Sequence, residues 1–169
     1  MIKELRQIQE ALFIGKESEI TSIAPDQECK EYSGFNLQIK GKNIKFRKSK
    51  ITPKKTGQFV TLWKRNDRKQ TEPFTINDNY DFYIIFCEQS GKNGFFLFPK
   101  LLLAANHILS SAKKIGKRGF RVYPSWAITE NQQAKKSQQW QLEYFIDLSG
   151  NREEQLSKFT AIFSDHSEG

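Results

Sequence analysis

Histidine and cysteine are nearly absent from this 169-residue chain, which has two of each: His107, His166, Cys29 and Cys87. The cysteines stand too far apart in sequence for a paired metal motif, and two histidines supply no zinc-ligand set. The simplest expectation is a cytoplasmic protein with reduced thiols. No apolar run approaches the roughly 20 residues that a membrane-spanning helix needs. Residues 1–15 start with charges and alternate polar with apolar side chains, unlike a secretory leader. The chain also lacks a Gly-rich phosphate loop with its lysine, a histidine-based acid–base pair and a serine in a nucleophile elbow. Neither a cofactor nor a metal is expected, and internal repeats and low-complexity linkers are missing. The length suits one domain, residues 1–169.

What the chain has in excess is positive charge in two places. Between Lys40 and Lys69 it carries twelve Lys or Arg and a single acid, Asp67, so this run holds +11 while the whole protein holds +8. Residues 113–140 add a second block of net +6, and the three remaining stretches are acidic, at −3, −2 and −4. Phe46, Phe59 and Trp63 interleave the first block, which points to a folded surface. A field that concentrated attracts a polyanion, with nucleic acid the first partner to consider. The plainer alternative is a set of solvated lysine loops that maintain solubility.

Hydrophobic residues at 37% and fourteen Phe are enough to drive a core. Residues 2–13 place Ile2, Leu5, Ile8 and Leu12 at helical spacing, and residues 17–33, acidic and carrying Pro25, read as loop. The alternation in residues 35–40 and 44–47 around Gly41 predicts a β-hairpin whose outer face carries Lys45 and Arg47. Thr52-Pro53, followed by Phe59, Leu62 and Trp63 on one face, predicts a helix, against which Gly57, Val60 and Thr61 speak. Its N-terminus beside Lys54 and Lys55 would suit a phosphate.

Residues 80–86 are almost wholly apolar and predict a central strand, which pairs through the turn at residues 90–94 with a second strand stopped by Pro99. Helices over 101–111 and 132–148, a strand over 119–123 and a short helix after Asn151 complete an α+β single domain. Its central sheet is antiparallel or mixed and flanked by helices. Cys87 and His107 are expected to be structural.

Two sites carry chemistry in this reading. Asp81 opens one strand and Lys100 closes the next, as in a restriction-endonuclease-like core, where carboxylates hold a metal and a lysine assists the nucleophile. The carboxylate such a site wants two residues before the lysine is replaced by Phe98, so one reading has Asp81 merely ending its strand. The second site is Lys113-Lys114-Ile115-Gly116-Lys117-Arg118-Gly119-Phe120-Arg121-Val122-Tyr123-Pro124-Ser125-Trp126. Here Arg118 and Arg121 suit phosphates, Gly116 and Gly119 permit close backbone approach, and Tyr123 or Trp126 can stack a base.

Several blocks taken together carry a resemblance: KITPKKTGQFVTLWKR, NYDFYIIF, GFFLFPK, GKRGFRVYPSW and SQQWQLEYF, spread over about residues 45–146. The chain resembles the MepB family, small bacterial proteins named for one encoded beside a multidrug efflux pump and its repressor. The resemblance brings little biochemistry with it; its blocks coincide with the basic segments and with the Asp81 and Lys100 strands. The resulting expectation is a non-catalytic nucleic-acid-binding protein, with DNA or RNA as partner and no membrane. Its face would be built from Lys45, Arg47, Lys48, Lys50, Lys54, Lys55, Lys64, Arg65, Lys100, Lys117, Arg118, Arg121, Tyr123 and Trp126. Two alternatives stand beside it: a magnesium-dependent nuclease using Asp81 and Lys100, and a regulatory module for a protein partner.

Overall fold

A computed structural model describes residues 1–15, 19–28 and 32–166. Cys29 and part of the expected 17–33 loop lie outside the described residues.

Six strands form the central sheet: β1 (Ile20–Pro25), β2 (Phe35–Ile39), β3 (Lys42–Lys48), β8 (Phe82–Gln89), β9 (Lys92–Pro99) and β11 (Phe145–Asp147), side by side in that order. All neighbours are antiparallel except β3 and β8, so the sheet is mixed. Two hairpins are set by two-residue turns, Lys40-Gly41 and Ser90-Gly91, in which every residue has positive φ. This is the turn conformation whose twist matches paired strands. Both turns are shorter than the sequence suggested.

The long connection between parallel β3 and β8 folds back as β4 (Lys50–Ile51), β5 (Gln58–Thr61), β6 (Trp63–Arg65) and β7 (Thr71–Pro73). β4 and β5 join β10 (Gly119–Val122) in a three-stranded sheet, and β6 pairs β7.

Helices α1 (Lys3–Leu12) and α4 (Arg152–Asp165) cover one face of the central sheet. Leu5, Ile8, Leu12, Phe159 and Phe163 pack there on Phe46, Phe82, Ile84, Phe86 and Leu97. Asn151 caps α4 by accepting the N–H groups of Glu153 and Glu154 at 2.8 and 3.3 Å, and Phe163 stacks on Phe82 at 4.9 Å. The opposite face carries the two small sheets, α2 (Lys100–Ala105) and α3 (Gln132–Leu142). Val60, Leu62, Phe74, Leu103 and Val122 pack there on Tyr83, Ile85, Cys87, Phe96 and Phe98. β8 is therefore buried on both faces, which explains its unbroken apolar run.

The helix after Asn151, expected to be short, runs for 14 residues, and four other elements differ from the sequence expectation. Residues 20–25 form an edge strand where loop was expected, although only Ile20 of its six residues is buried. The helix expected after Pro53 is instead a turn followed by β5, because Gly57 sits at φ +81° and the β-branched Val60 and Thr61 pair with β10. No helix N-terminus therefore stands beside Lys54 and Lys55. The helix expected over 101–111 ends at Ala105, where Asn106 and His107 turn the chain, and His107, at φ +62°, is exposed. The helix expected over 132–148 stops at Leu142, since Phe145 and Ile146 pair with the edge of β9. No described helix is long and apolar enough to cross a membrane.

Candidate nucleic-acid interface

The β3 cations point away from Ile44 and Phe46, as alternation requires, but that side is covered by the second layer. Lys45 and Arg47 are buried, and both bind Asp26 Oδ2, Lys45 Nζ at 3.0 Å and Arg47 Nη2 at 2.6 Å. The Lys45 ammonium also lies 4.3 Å from the centre of the Tyr80 ring and 4.8 Å from that of Phe74. Burial alone would raise the Asp26 carboxyl, but the Arg47 charge and the Lys45 hydrogen bond outweigh it and hold the group low. This corrects the expected outer basic face: Lys45 and Arg47 are buried beneath the second layer and paired with Asp26.

Lys48, half-buried, bridges Glu4 on α1 at 2.9 Å and Glu88 on β8 at 3.3 Å. Lys64 meets Asp78 at 2.7 Å and Glu72 at 3.8 Å. Arg65 lies against the Trp63 ring, 5.3 Å from its centre, and donates to the Lys69 carbonyl. Lys45, Arg47, Lys48 and Lys64 of the first block are thus ion-paired within the protein.

The remaining cations behave differently. β5 pairs β10 in the register Val60↔Phe120 and Phe59↔Arg121, and β4 pairs β5. This brings the 52–57 loop of the first basic block against the second block. Lys54, Lys55 and Lys117 are exposed, and among the described residues none of them forms an ion pair. Lys50 is exposed with its ammonium 4.6 Å from the Tyr32 ring centre, and Arg118 is exposed with Nε on the Thr71 carbonyl.

Arg121 does not face outward to a phosphate as expected. Its guanidinium donates to the carbonyls of Thr56, Lys55 and Gly57 and to Thr52 Oγ1, at 2.8–3.4 Å, and so ties the 52–57 loop down. The far edge of β10 is completed by one side chain from α3: buried Gln141 donates to the Arg121 carbonyl at 3.0 Å and accepts the Tyr123 N–H at 2.8 Å. An amide is able to continue a strand in this way because it offers both a donor and an acceptor.

The glycines are packed closely against the protein itself. A side chain at Gly119 would meet the Phe59 ring at 2.6 Å, and one at Gly116 would collide with the Ile108 carbonyl. Gly57 is pressed by Tyr123 in the same way, 2.6 Å from where its Cβ would lie.

Two cavities open on either side of the 52–57 loop. One, of about 580 Å³, is lined by Lys54, Lys117, Arg121, Tyr123, Phe59 and Trp140 among others. The second, of about 430 Å³, is lined by Ile51, Gln89, Lys92, Trp126 and Ile128. Lys55, Thr56, Gly57 and Glu130 stand at this shared boundary, with Lys55, Thr56 and Glu130 lining both. Trp126 is held by its indole N–H on Gln89 at 3.1 Å and by an edge-to-face contact with Phe145. Phe59, Glu130, Trp140, Gln141 and Lys92 are absent from the residue set that charge and motif suggested. Nothing in the local pattern marks Glu130 or Lys92, whereas Phe59 lies in the KITPKKTGQFVTLWKR block, and Trp140 and Gln141 lie in the SQQWQLEYF block.

Asp81 and Lys100 do come together at the open end of the β8–β9 hairpin, where the Lys100 N–H donates to the Asp81 carbonyl at 3.2 Å. The Asp81 carboxylate accepts the Asn43 N–H at 2.8 Å and so holds the start of β3. Among the described residues no three His, Cys, Asp or Glu side chains gather in a metal-holding group. Cys87 is buried, and burial pushes its thiol up to about 12 despite a contact with the Ser49 hydroxyl.

Among curated proteins, none matches the chain. The crystal structure of MepB is similar over 89% of this chain and 100% of that chain, at 29% identity and a TM-score of 0.79. The structure of a bacterial homing endonuclease is similar over 94% of this chain and 90% of that one, at 14% identity and a TM-score of 0.44. The MepB-like family model matches residues 26–147, well over half of the sequence. The chain belongs to the MepB-like family.

Proposed function

We propose that this protein binds nucleic acid without cleaving it, through the face where the 52–57 loop, residues 113–118 and β10 meet. One observation carries the reading: the β5–β10 pairing brings Lys54 and Lys55 of the first basic block and Lys117 of the second around aromatic-lined cavities. Burial and pairing of the β3 cations, with Lys54, Lys55 and Lys117 left exposed beside the cavities, favours a ligand over solubility alone. Lys50, Lys54, Lys55, Lys117 and Arg118 contact phosphates, and Tyr123 and Trp126 offer rings to bases. Lys45 and Arg47 belong to the core beneath.

Fluorescence anisotropy with labelled single- and double-stranded DNA and RNA over a salt series tests this, first with EDTA and then with magnesium. The expected result is binding that weakens steeply with salt, as released counterions require, with oligonucleotides intact in both conditions. Absence of binding at low salt would overturn the reading and leave the basic face to an acidic protein partner. Cleavage appearing only with magnesium, and lost in Asp81→Ala, would replace it with the nuclease reading.

A further inference from the structure

Resting on that reading, we infer that the ligand is a single strand and that two consecutive nucleotides seat in the paired cavities, with Lys55 at the phosphate between them. The two cavities hold about 580 and 430 Å³, within the range that encloses small organic ligands, and they share the wall made by Lys55, Thr56 and Glu130. Each contains a half-buried ring fixed from behind. Tyr123 is pressed against Gly57, and Trp126 is fastened by Gln89 and Phe145. Rings of this kind stack bases of any sequence.

The wall between the cavities is built to stay in place. Four hydrogen bonds from Arg121 hold the loop that carries Lys54 and Lys55, so its two lysines are presented by a fixed backbone. Lys54, Lys55, Lys117 and Lys92 line the cavities, yet Glu130 lines both of them. From the wall it shares with Lys55, whose charge offsets its own near a phosphate, the Glu130 carboxylate is placed to accept an exocyclic amino group of a base. A duplex has no free base to offer either cavity unless it unpairs and flips one out, which costs stacking and pairing energy.

The test compares a short single-stranded DNA of mixed sequence with the same sequence closed into a hairpin duplex, by anisotropy at one fixed salt concentration. The expected result is at least about tenfold tighter binding of the single strand, the discrimination one stacked base supplies. Tyr123→Ala and Trp126→Ala are each expected to reduce that preference severalfold. Ile128→Glu guards against misfolding as the cause of any loss. Ile128 is 79% exposed, so the change leaves the core untouched while placing a repelling charge in the second cavity, and it should lower single-strand affinity selectively. Equal affinity for the two forms, or a preference unchanged in all three variants, would overturn this inference while leaving nucleic-acid binding intact. Silence toward both forms, and toward a single-stranded RNA of the same sequence, would overturn the two readings together.

Discussion

The cations of β3 and those of the 52–57 loop are neighbours in sequence and opposites in fate. Lys45 and Arg47 sit in the interior with Asp26 between them, and Lys48 is clasped by Glu4 and Glu88. A few residues later, Lys54 and Lys55 stand exposed without an acidic partner among the described residues. The difference comes from what lies over each segment. β3 is an inner strand of a sheet covered on both faces, so its charges are desolvated and must be compensated. The loop projects past the small sheet and keeps its water. A run of like charge in a sequence is thus a mixture of buried, paired cations and exposed ones.

The largest effect should come from the buried group. Arg47→Ala removes one partner of a desolvated triad and is expected to cost about 3–5 kcal/mol in denaturant unfolding. A loss near zero would break the contrast by showing that β3 is not a structural centre.

Next comes Gln141→Leu, which leaves the Arg121 carbonyl and the Tyr123 N–H without their shared partner. A destabilisation of about 1–3 kcal/mol in the same measurement is expected, accompanied by weaker single-strand binding as β10 loosens.

A smaller change, about 0.2–1 kcal/mol, is expected for Lys48→Met, whose pairs are partly exposed. Burial acts to raise the Glu4 carboxyl, but the Lys48 hydrogen bond helps bring its net value below the ordinary 4.5. Burial likewise acts to lower Lys48, but its carboxylate partners raise it above the ordinary 10.5. The Glu4 contribution is therefore complete above about pH 4.5 and lost as pH falls through the folded value. The Lys48 contribution is complete below about pH 10.5 and lost as pH rises through its folded value. Unfolding free energies across these two edges should decline less steeply in the variant than in the parent.

The smallest effect on stability, and the sharpest on binding, belongs to the combined Lys54→Ala, Lys55→Ala and Lys117→Ala variant. Its unfolding midpoint should match the parent. Its slope of log affinity against log salt should fall by about 2, since each lost contact to a single-stranded phosphate removes about 0.7. A variant that binds as the parent does would end the division between structural and ligand-facing lysines.

Much of the fold was legible in local pattern. The β2–β3 and β8–β9 hairpins follow from alternation and glycine turns, and the unbroken run of residues 82–87 announces a strand covered on both sides. α1 follows from its spaced apolar residues, and the final helix has Asn151 before it as a cap. The stretch from Thr52 to Trp63 misled because Pro53 after Thr52 imitates a helix start, while the partner strand that makes β5 lies about sixty residues away. Phe145 and Ile146 continue a helical spacing, yet they complete the free edge of β9. At the interface, the lysine blocks and Tyr123 were visible, whereas Gln141, Glu130 and Trp140 gain their places only from the docking of α3.

Sequence alone determined the class of this protein: a single α+β domain with an aromatic-rich core, two dense basic blocks and motifs of the MepB-like family. Those properties reside in composition and short-range periodicity, which folding does not change. Tertiary structure alone decided which cations remain available. Whether a lysine meets water or a carboxylate depends on what packs above it, and for Lys45, Arg47 and Lys48 the carboxylate comes from a segment about twenty to forty residues away. Long-range pairing of this kind leaves no periodic trace in the chain, because it is set by strand order and helix docking rather than by neighbours.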